Sequence, residues 1–317
     1  MIRIGSILLI AAAALALAGQ PAQALDPLTV CLETNTPPFS YHDGPKTGGF
    51  DVAVSAAVAK RLGRDLKIQW FEIRDPPDED DPDPGRAENA MLNAGKCQLV
   101  GGFPLIANDL APAVDKSRLP DFTGITRPER KEQVPIGKLI ASKPYHYLAF
   151  TVLLGPKAAG RKIATLADLD GLRIGSEDGT LADAILMWYG HRRYFRQIVH
   201  YTPAQTIDHG GGLLAHLERG DVDATLVELR RYDVYRAEHP DTKIRPSGFY
   251  DRIGFNMGFV AAARETALIG EVDGAIDDLM AKNELPAMAE AAGMTYVAPR
   301  PPAIAAAVSM GDLMGGD

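Results

Sequence analysis

The chain has 317 residues, of which 46% are hydrophobic and 23% charged, enough for a sizeable core and too charged for a polytopic membrane protein. A net charge of −8 and an aromatic content of 7% argue against a nucleic-acid binder, which usually offers a basic face and stacking rings. The length suits roughly two domains of about 150 residues each.

Residues 1–24 read as a secretory signal peptide. Arg3 is a basic n-region, residues 7–18 form an apolar run too short to span a bilayer, and Ala22-Gln23-Ala24 is an A-x-A cleavage site. The alternative is an uncleaved anchor. Cleavage predicts a mature chain that starts at Leu25 in the periplasm. No Cys follows the site, so no lipid anchor is expected.

The mature chain opens with a strand over residues 28–32 and a Pro-rich loop over 35–40. Val54, Val58 and Leu62 then recur at four-residue spacing, which predicts a helix over 50–62 ended by Gly63. A strand is expected over 66–73, a helix over 86–94 and a strand over 97–100. This β-α-β-α-β order implies a parallel sheet with helices on its faces. The pattern restarts after residue 150. Strands are expected at 172–175, 198–199, 223–228 and 254–261, and helices at 181–189, 206–218 and 230–237. Two such units imply two lobes, with the apolar segments 150–154 and 255–260 crossing between them.

Cys31 and Cys97 are the two cysteines. An even count in an exported chain implies a disulfide, which the chain-entropy model values at about 4 kcal/mol for so long a loop. A redox or metal pair is the alternative, but neither Cys lies in C-x-x-C spacing or beside a His. Residues 75–83 hold six acids and three prolines. They fit no EF-hand register and read as a solvated loop. His191, His200, His209 and His216 match no compact metal signature and read as surface residues. No metal or other cofactor is expected.

Several segments together resemble the family 3 extracellular solute-binding proteins that serve amino-acid ABC importers. Pro37-Pro38-Phe39-Ser40-Tyr41 resembles the family's P-P-F-x-F loop, and Gly49-Phe50-Asp51-Val52 its G-[FY]-x-[VI] helix start. Residues 92–100 resemble its L-x-x-G-x-x-D-x-[IVL] segment, and Lys143-Pro144-Tyr145 the P-Y before the first crossing. Residues 166–175 resemble its D-L-x-G-x-x-[VI]-[GA] signature, and residues 217–224 its L-x-x-G-x-V-D-A. Each motif alone is weak; their order is the signal.

The resemblance implies an α/β fold of the two-lobed type II periplasmic-binding-protein class. Each lobe would be a mostly parallel sheet flanked by helices, joined by two crossings. Residues 25–149 and 257–299 would form lobe 1, 150–256 lobe 2 and 300–317 a flexible tail. It also implies a monomer that captures a small polar ligand in the interlobe cleft and delivers it to a permease. The ligand residues carried over are Phe39 and Tyr41 as an aromatic wall, Gly179 and Thr180 at a helix N-terminus for a carboxylate, and Glu228 for an ammonium. Core packing, an ordinary helix cap and a surface salt bridge are their respective alternatives. The family's G-x-T-x-T-x-x-R after the third strand is displaced. One alignment puts the site at Pro104, the other at Thr126 and Arg130, with an insertion over about 104–123. Arg130 could instead be a solvated charge.

The Cys pair and Gly102-Phe103-Pro104 also resemble the periplasmic accessory proteins of quinoprotein methanol dehydrogenases, which share this fold. That resemblance implies a quinoprotein dehydrogenase as the alternative partner. Enzymatic activity is not expected: no nucleotide loop, G-x-S-x-G elbow or H-E-x-x-H pair is present. A periplasmic dehydratase on this fold is the remaining enzymatic reading.

Overall fold

The computed structural model describes residues 25–73, 85–202 and 212–315. The signal-peptide, acidic-loop and His209 readings lie outside the described residues.

The first lobe is built on β1 (Leu28–Glu33), whose side chains are buried almost throughout because neighbours flank both edges. A small antiparallel sheet follows, β2 (Asn35–Thr36), β3 (Ser40–Asp43) and β4 (Lys46–Gly48), where the sequence suggested only a loop. Helix α1 (Phe50–Arg61) buries Phe50, Val54 and Val58, the stripe seen in its sequence. It leads to β5 (Leu66–Glu72), parallel to β1 with Val30 opposite Ile68. Helix α2 (Arg86–Asn93) returns the chain to β6 (Leu99–Pro104) on the other side of β1. Gly49 is required at the start of α1: its φ is +115°, and a Cβ there would lie 2.3 Å from the Phe39 carbonyl oxygen.

After β6 the chain makes a short helix, α3 (Ala107–Leu110), then β7 (Lys116–Arg118), β8 (Asp121–Phe122), β9 (Gln133–Pro135) and β10 (Leu139–Ala141). The first crossing is β11 (His146–Leu154). Lobe 2 holds β12 (Ile174–Glu177), α4 (Leu181–Arg192), β13 (Ile198–Tyr201), α5 (Gly212–Arg219), β14 (Ala224–Glu228) and α6 (Leu229–Glu238). The return crossing is β15 (Arg245–Ala262), an 18-residue strand and roughly 60 Å long at the usual rise. Lobe 1 closes with α7 (Thr266–Ala281) and α8 (Glu284–Ala291).

One continuous sheet runs β13-β12-β14-β11-β15-β6-β1-β5-β8. The runs β13-β12-β14 and β6-β1-β5 are parallel, β8 adds an antiparallel edge, and the antiparallel pair β11 and β15 joins the two halves. Register shifts interrupt that pair between Ala149 and Leu153, where the lobes meet. Separate apolar clusters fill the lobes, one around α1, α7 and α8 and another around α4.

Cys31 and Cys97 are disulfide-bonded with Cα atoms 5.6 Å apart, inside the cluster between α2 and the sheet. The expected tail is a correction. Residues 300–305 are strapped to β15: the Asn256 side-chain amide donates to the carbonyls of Arg300, Pro302 and Ala303, and its oxygen accepts from the Arg300 N–H. Ala305 then bridges to Ile106, and α9 (Met310–Met314) buries Leu313 in the cluster around α4. Hydrogen bonding to a buried long-range partner holds this segment, which its Pro-rich composition did not disclose.

Candidate functional site

A cleft of about 1060 Å³ separates the lobes at the carboxyl ends of both parallel half-sheets, where ligands bind in open α/β sheets. The lobe 1 wall comes from the loop after β1, the starts of α1 and α2, the ends of β5 and β6, and α3. The lobe 2 wall comes from the ends of β12 and β14 and the starts of α4 and α6. Leu148, Phe150 and Met257 of the crossings form the floor.

The lobe 1 wall is acidic. It carries Glu33, Asp51, Glu72, Glu88 and Asp109, and no Lys or Arg among the described lining residues. Asp51 is buried at the first turn of α1. Its carboxylate accepts a 2.8 Å hydrogen bond from the Tyr145 hydroxyl, which itself accepts the Gly102 N–H. Gly102 has φ +67°, and a Cβ there would lie 2.4 Å from Asp51, so Gly-Phe-Pro at the end of β6 is shaped around this carboxyl. Burial pushes the Asp51 carboxyl up to about 7, against the lowering effect of the Tyr145 bond. Glu88 is also buried and caps α2 by accepting the Gly85 N–H at 2.7 Å. Burial first, and then the neighbouring Asp109 charge, raise it to about 7 in spite of its backbone hydrogen bonds. Burial raises Asp109 too. The hydrogen bonds to Asp51 and Glu88 replace only part of the lost hydration, and a cation or a proton supplies the rest.

The lobe 2 wall is mixed. Glu177 pairs with Arg231 at 2.5 Å, and Glu228 pairs with Arg230 at 2.5 Å. The Arg230 guanidinium also reaches across the cleft, 5.8 Å from the centroid of the Phe39 ring. Thr180 caps α4, accepting the Asp183 N–H and donating to the Glu177 carbonyl. The cap leaves the first-turn amides of Leu181 and Ala182 at the cleft wall, where the helix dipole favours an anion.

Of the residues expected from sequence, Phe39, Thr180 and Glu228 line the cleft. Phe39 is 93% buried and also packs edge-on to His146, so its wall and core roles coincide. Glu228 is held by Arg230, two residues beyond it, which its own motif could not show. Gly179 has φ +81° and sits exposed beside the wall, forming the turn that admits Thr180.

Three expectations are corrected. Tyr41 lies on β3 with its hydroxyl over Gly48, away from the cleft lining. Thr126 caps a turn by donating to Glu129. Arg130 sits in that turn with a half-exposed side chain and is ion-paired to Asp121. The alignment through Pro104 is the one that reaches the cleft. Asp109, Arg230 and Arg231 were missed. Asp109 lies in the segment read as an insertion. The two arginines come two and three residues after Glu228, and a strand end feeding a helix start was the available signal.

No protein-family model matches the chain. Among curated proteins it is similar to the arginine-binding extracellular protein ArtP of Bacillus subtilis (strain 168), at 25% identity over 146 residues. That match takes in 46% of this chain and 42% of ArtP, so the chain spans about two fifths of the curated relative. Among solved structures it is similar to the unliganded, open L-cystine solute receptor of Neisseria gonorrhoeae. The TM-score is 0.57 at 20% identity, over 87% of this chain and 96% of that one. Substrate-binding domain 2 of Lactococcus lactis GlnP, also open, gives a TM-score of 0.54 at 17% identity over 85% and 95%. These likenesses show the fold, that of type II periplasmic binding proteins. They give no support to the accessory role beside a quinoprotein dehydrogenase. Among the described residues no helix is long and apolar enough to cross a membrane.

Proposed function

We propose that this protein is an extracytoplasmic solute-binding protein that captures an amino acid with a cationic side chain and hands it to the permease of an ABC importer. The observation that carries the reading is the asymmetry of the cleft. Among the described residues, the charged groups of one wall are all carboxylates, two of them buried without a Lys or Arg partner, and the other wall offers arginines and helix amides for a carboxylate. A ligand with an α-carboxylate toward lobe 2 and an ammonium or guanidinium toward Glu88 and Asp109 complements both walls. Closure around it removes water from both ends and strengthens each contact. The Bacillus relative is named for binding arginine, which agrees with that chemistry. The matched proteins are named for binding rather than catalysis, which supports a non-enzymatic role.

The test is a thermal-shift screen of the mature chain. L-arginine, L-lysine and L-ornithine should raise the melting point, since a ligand at about 100 times its dissociation constant adds about 2.7 kcal/mol of stability. L-glutamate should leave it unchanged. A screen in which no amino acid shifts the midpoint contradicts the reading.

A further inference from the structure

A second cluster of ionisable groups lies outside the cleft, on the edge of lobe 2. Strand β13 runs parallel to β12 with Ser176 opposite His200, and the loop after β12 is pinned to it by the Asp178 N–H donating to the Tyr201 carbonyl at 2.9 Å. The next element, α4, carries Asp183 in its first turn. Its backbone N–H is taken by Thr180, so the carboxylate is not needed for capping. These three elements bring His200, Asp178 and Asp183 together. The His200 Nδ1 is 2.8 Å from Asp178 Oδ1 and 3.2 Å from Asp183 Oδ1. One ligand atom from each of the three residues lies within 4.8 Å of both others.

The imidazole Nδ1 carries at most one proton and can serve only one carboxylate well. Asp183 Oδ1 is sealed from solvent, and its contact with the ring lacks hydrogen-bond geometry. Among the described residues no other donor reaches it. A carboxylate oxygen shut away from water and from donors, and aimed at the same point as an imidazole nitrogen, is unfavourable unless a cation completes it.

We propose that Asp178, Asp183 and His200 bind a divalent transition-metal ion of the zinc class. One nitrogen and two carboxylate oxygens are a donor set for borderline metals, whereas calcium takes six to eight oxygens and magnesium a near-ideal octahedron of oxygens. Metal–ligand bonds of about 2.0–2.2 Å put donor pairs on one ion roughly 3–4 Å apart, a spacing close to the two nitrogen–oxygen separations, and the two carboxylates would adjust around the ion. Asp178 and His200 are partly exposed, which leaves a way in and an open position for water. Glu177 and Thr180 flank Asp178 and line the cleft. The ion therefore ties β12, α4 and β13 together just behind the loop that presents the lobe 2 wall. The role is structural and independent of which solute the cleft takes.

The test uses the untagged mature chain after chelator dialysis, titrated calorimetrically with Zn²⁺. One tight equivalent is expected, absent in His200→Ala and weakened at least about 10- to 100-fold in the near-isosteric Asp183→Asn. His216→Ala, which alters another acid-paired histidine, should keep it. Co²⁺ should give visible absorption bands in the wild type that His200→Ala lacks. Far-ultraviolet circular dichroism of the metal-free variants should match the wild type. The site is refuted if His200→Ala keeps the equivalent, if Ca²⁺ or Mg²⁺ binds as tightly as Zn²⁺, or if the wild type binds no Zn²⁺.

Discussion

Glu88 and Asp51 are carboxyls held near neutrality by burial at about 7, and this makes cation capture depend on pH. A carboxyl with a raised folded pKa is protonated below that value, and a cationic ligand must drive the proton off. Affinity for L-arginine should therefore rise as pH increases from about 6 to 8, by up to about tenfold per unit for each coupled group. Calorimetry across that range should show the slope flattened in Glu88→Gln. An unchanged slope removes Glu88 from the ligand contact.

His146 titrates in the opposite sense. It is buried among Phe39, Phe50 and Tyr296, and burial lowers it to about 4. A depressed folded pKa contributes stability that is present above about 6.5 and lost as pH falls toward 4. The loss amounts to about 3 kcal/mol. His146→Phe should remove that part of the acid slope in urea unfolding, and a slope equal to the wild type's contradicts the assignment.

Residues were legible from sequence where a local motif and the cleft coincide, as at Thr180, which is both cap and wall. Arg130 was not, because a motif spacing cannot show that the turn over 129–131 aims its side chain at Asp121.

At the level of elements, periodicity carried α1, α2 and the parallel strands, because each buries one clear stripe or run. The small β2–β4 sheet escaped, since polar two- to four-residue strands have no apolar alternation to read. The strap of residues 300–305 escaped because its partner, Asn256, is distant in sequence and buried in β15. Asn256→Ala removes the four part-buried hydrogen bonds that hold the strap and should cost about 1–3 kcal/mol in urea unfolding. A cost below about 0.5 kcal/mol means the strap is not held by that side chain. The Cys31–Cys97 bridge ties β1 to the segment entering β6. Replacing both with Ser should cost about 4 kcal/mol on the chain-entropy model. Free-thiol titration of the unfolded, unreduced wild type should find no reactive thiol.

At the scale of the whole molecule, two half-sheets point their carboxyl ends at one cleft, and the crossings break register where the lobes join. That arrangement suits closure about β11 and β15 around a solute. The net charge of −8 only argued against a nucleic-acid partner; folding is what concentrates five carboxylates on one wall and pairs the nearby arginines on the other. The central claim is that this asymmetry selects a cationic amino acid. Its most direct measurement is a calorimetric titration at pH 8 of L-arginine and L-glutamate into the wild type and into a Glu88→Gln/Asp109→Asn double variant. The account predicts that wild-type protein binds arginine at least about 100-fold more tightly than glutamate, and that the double variant loses most of that preference, a difference of roughly 2–3 kcal/mol. Glutamate binding as well as arginine, or a double variant that keeps the full preference, contradicts it.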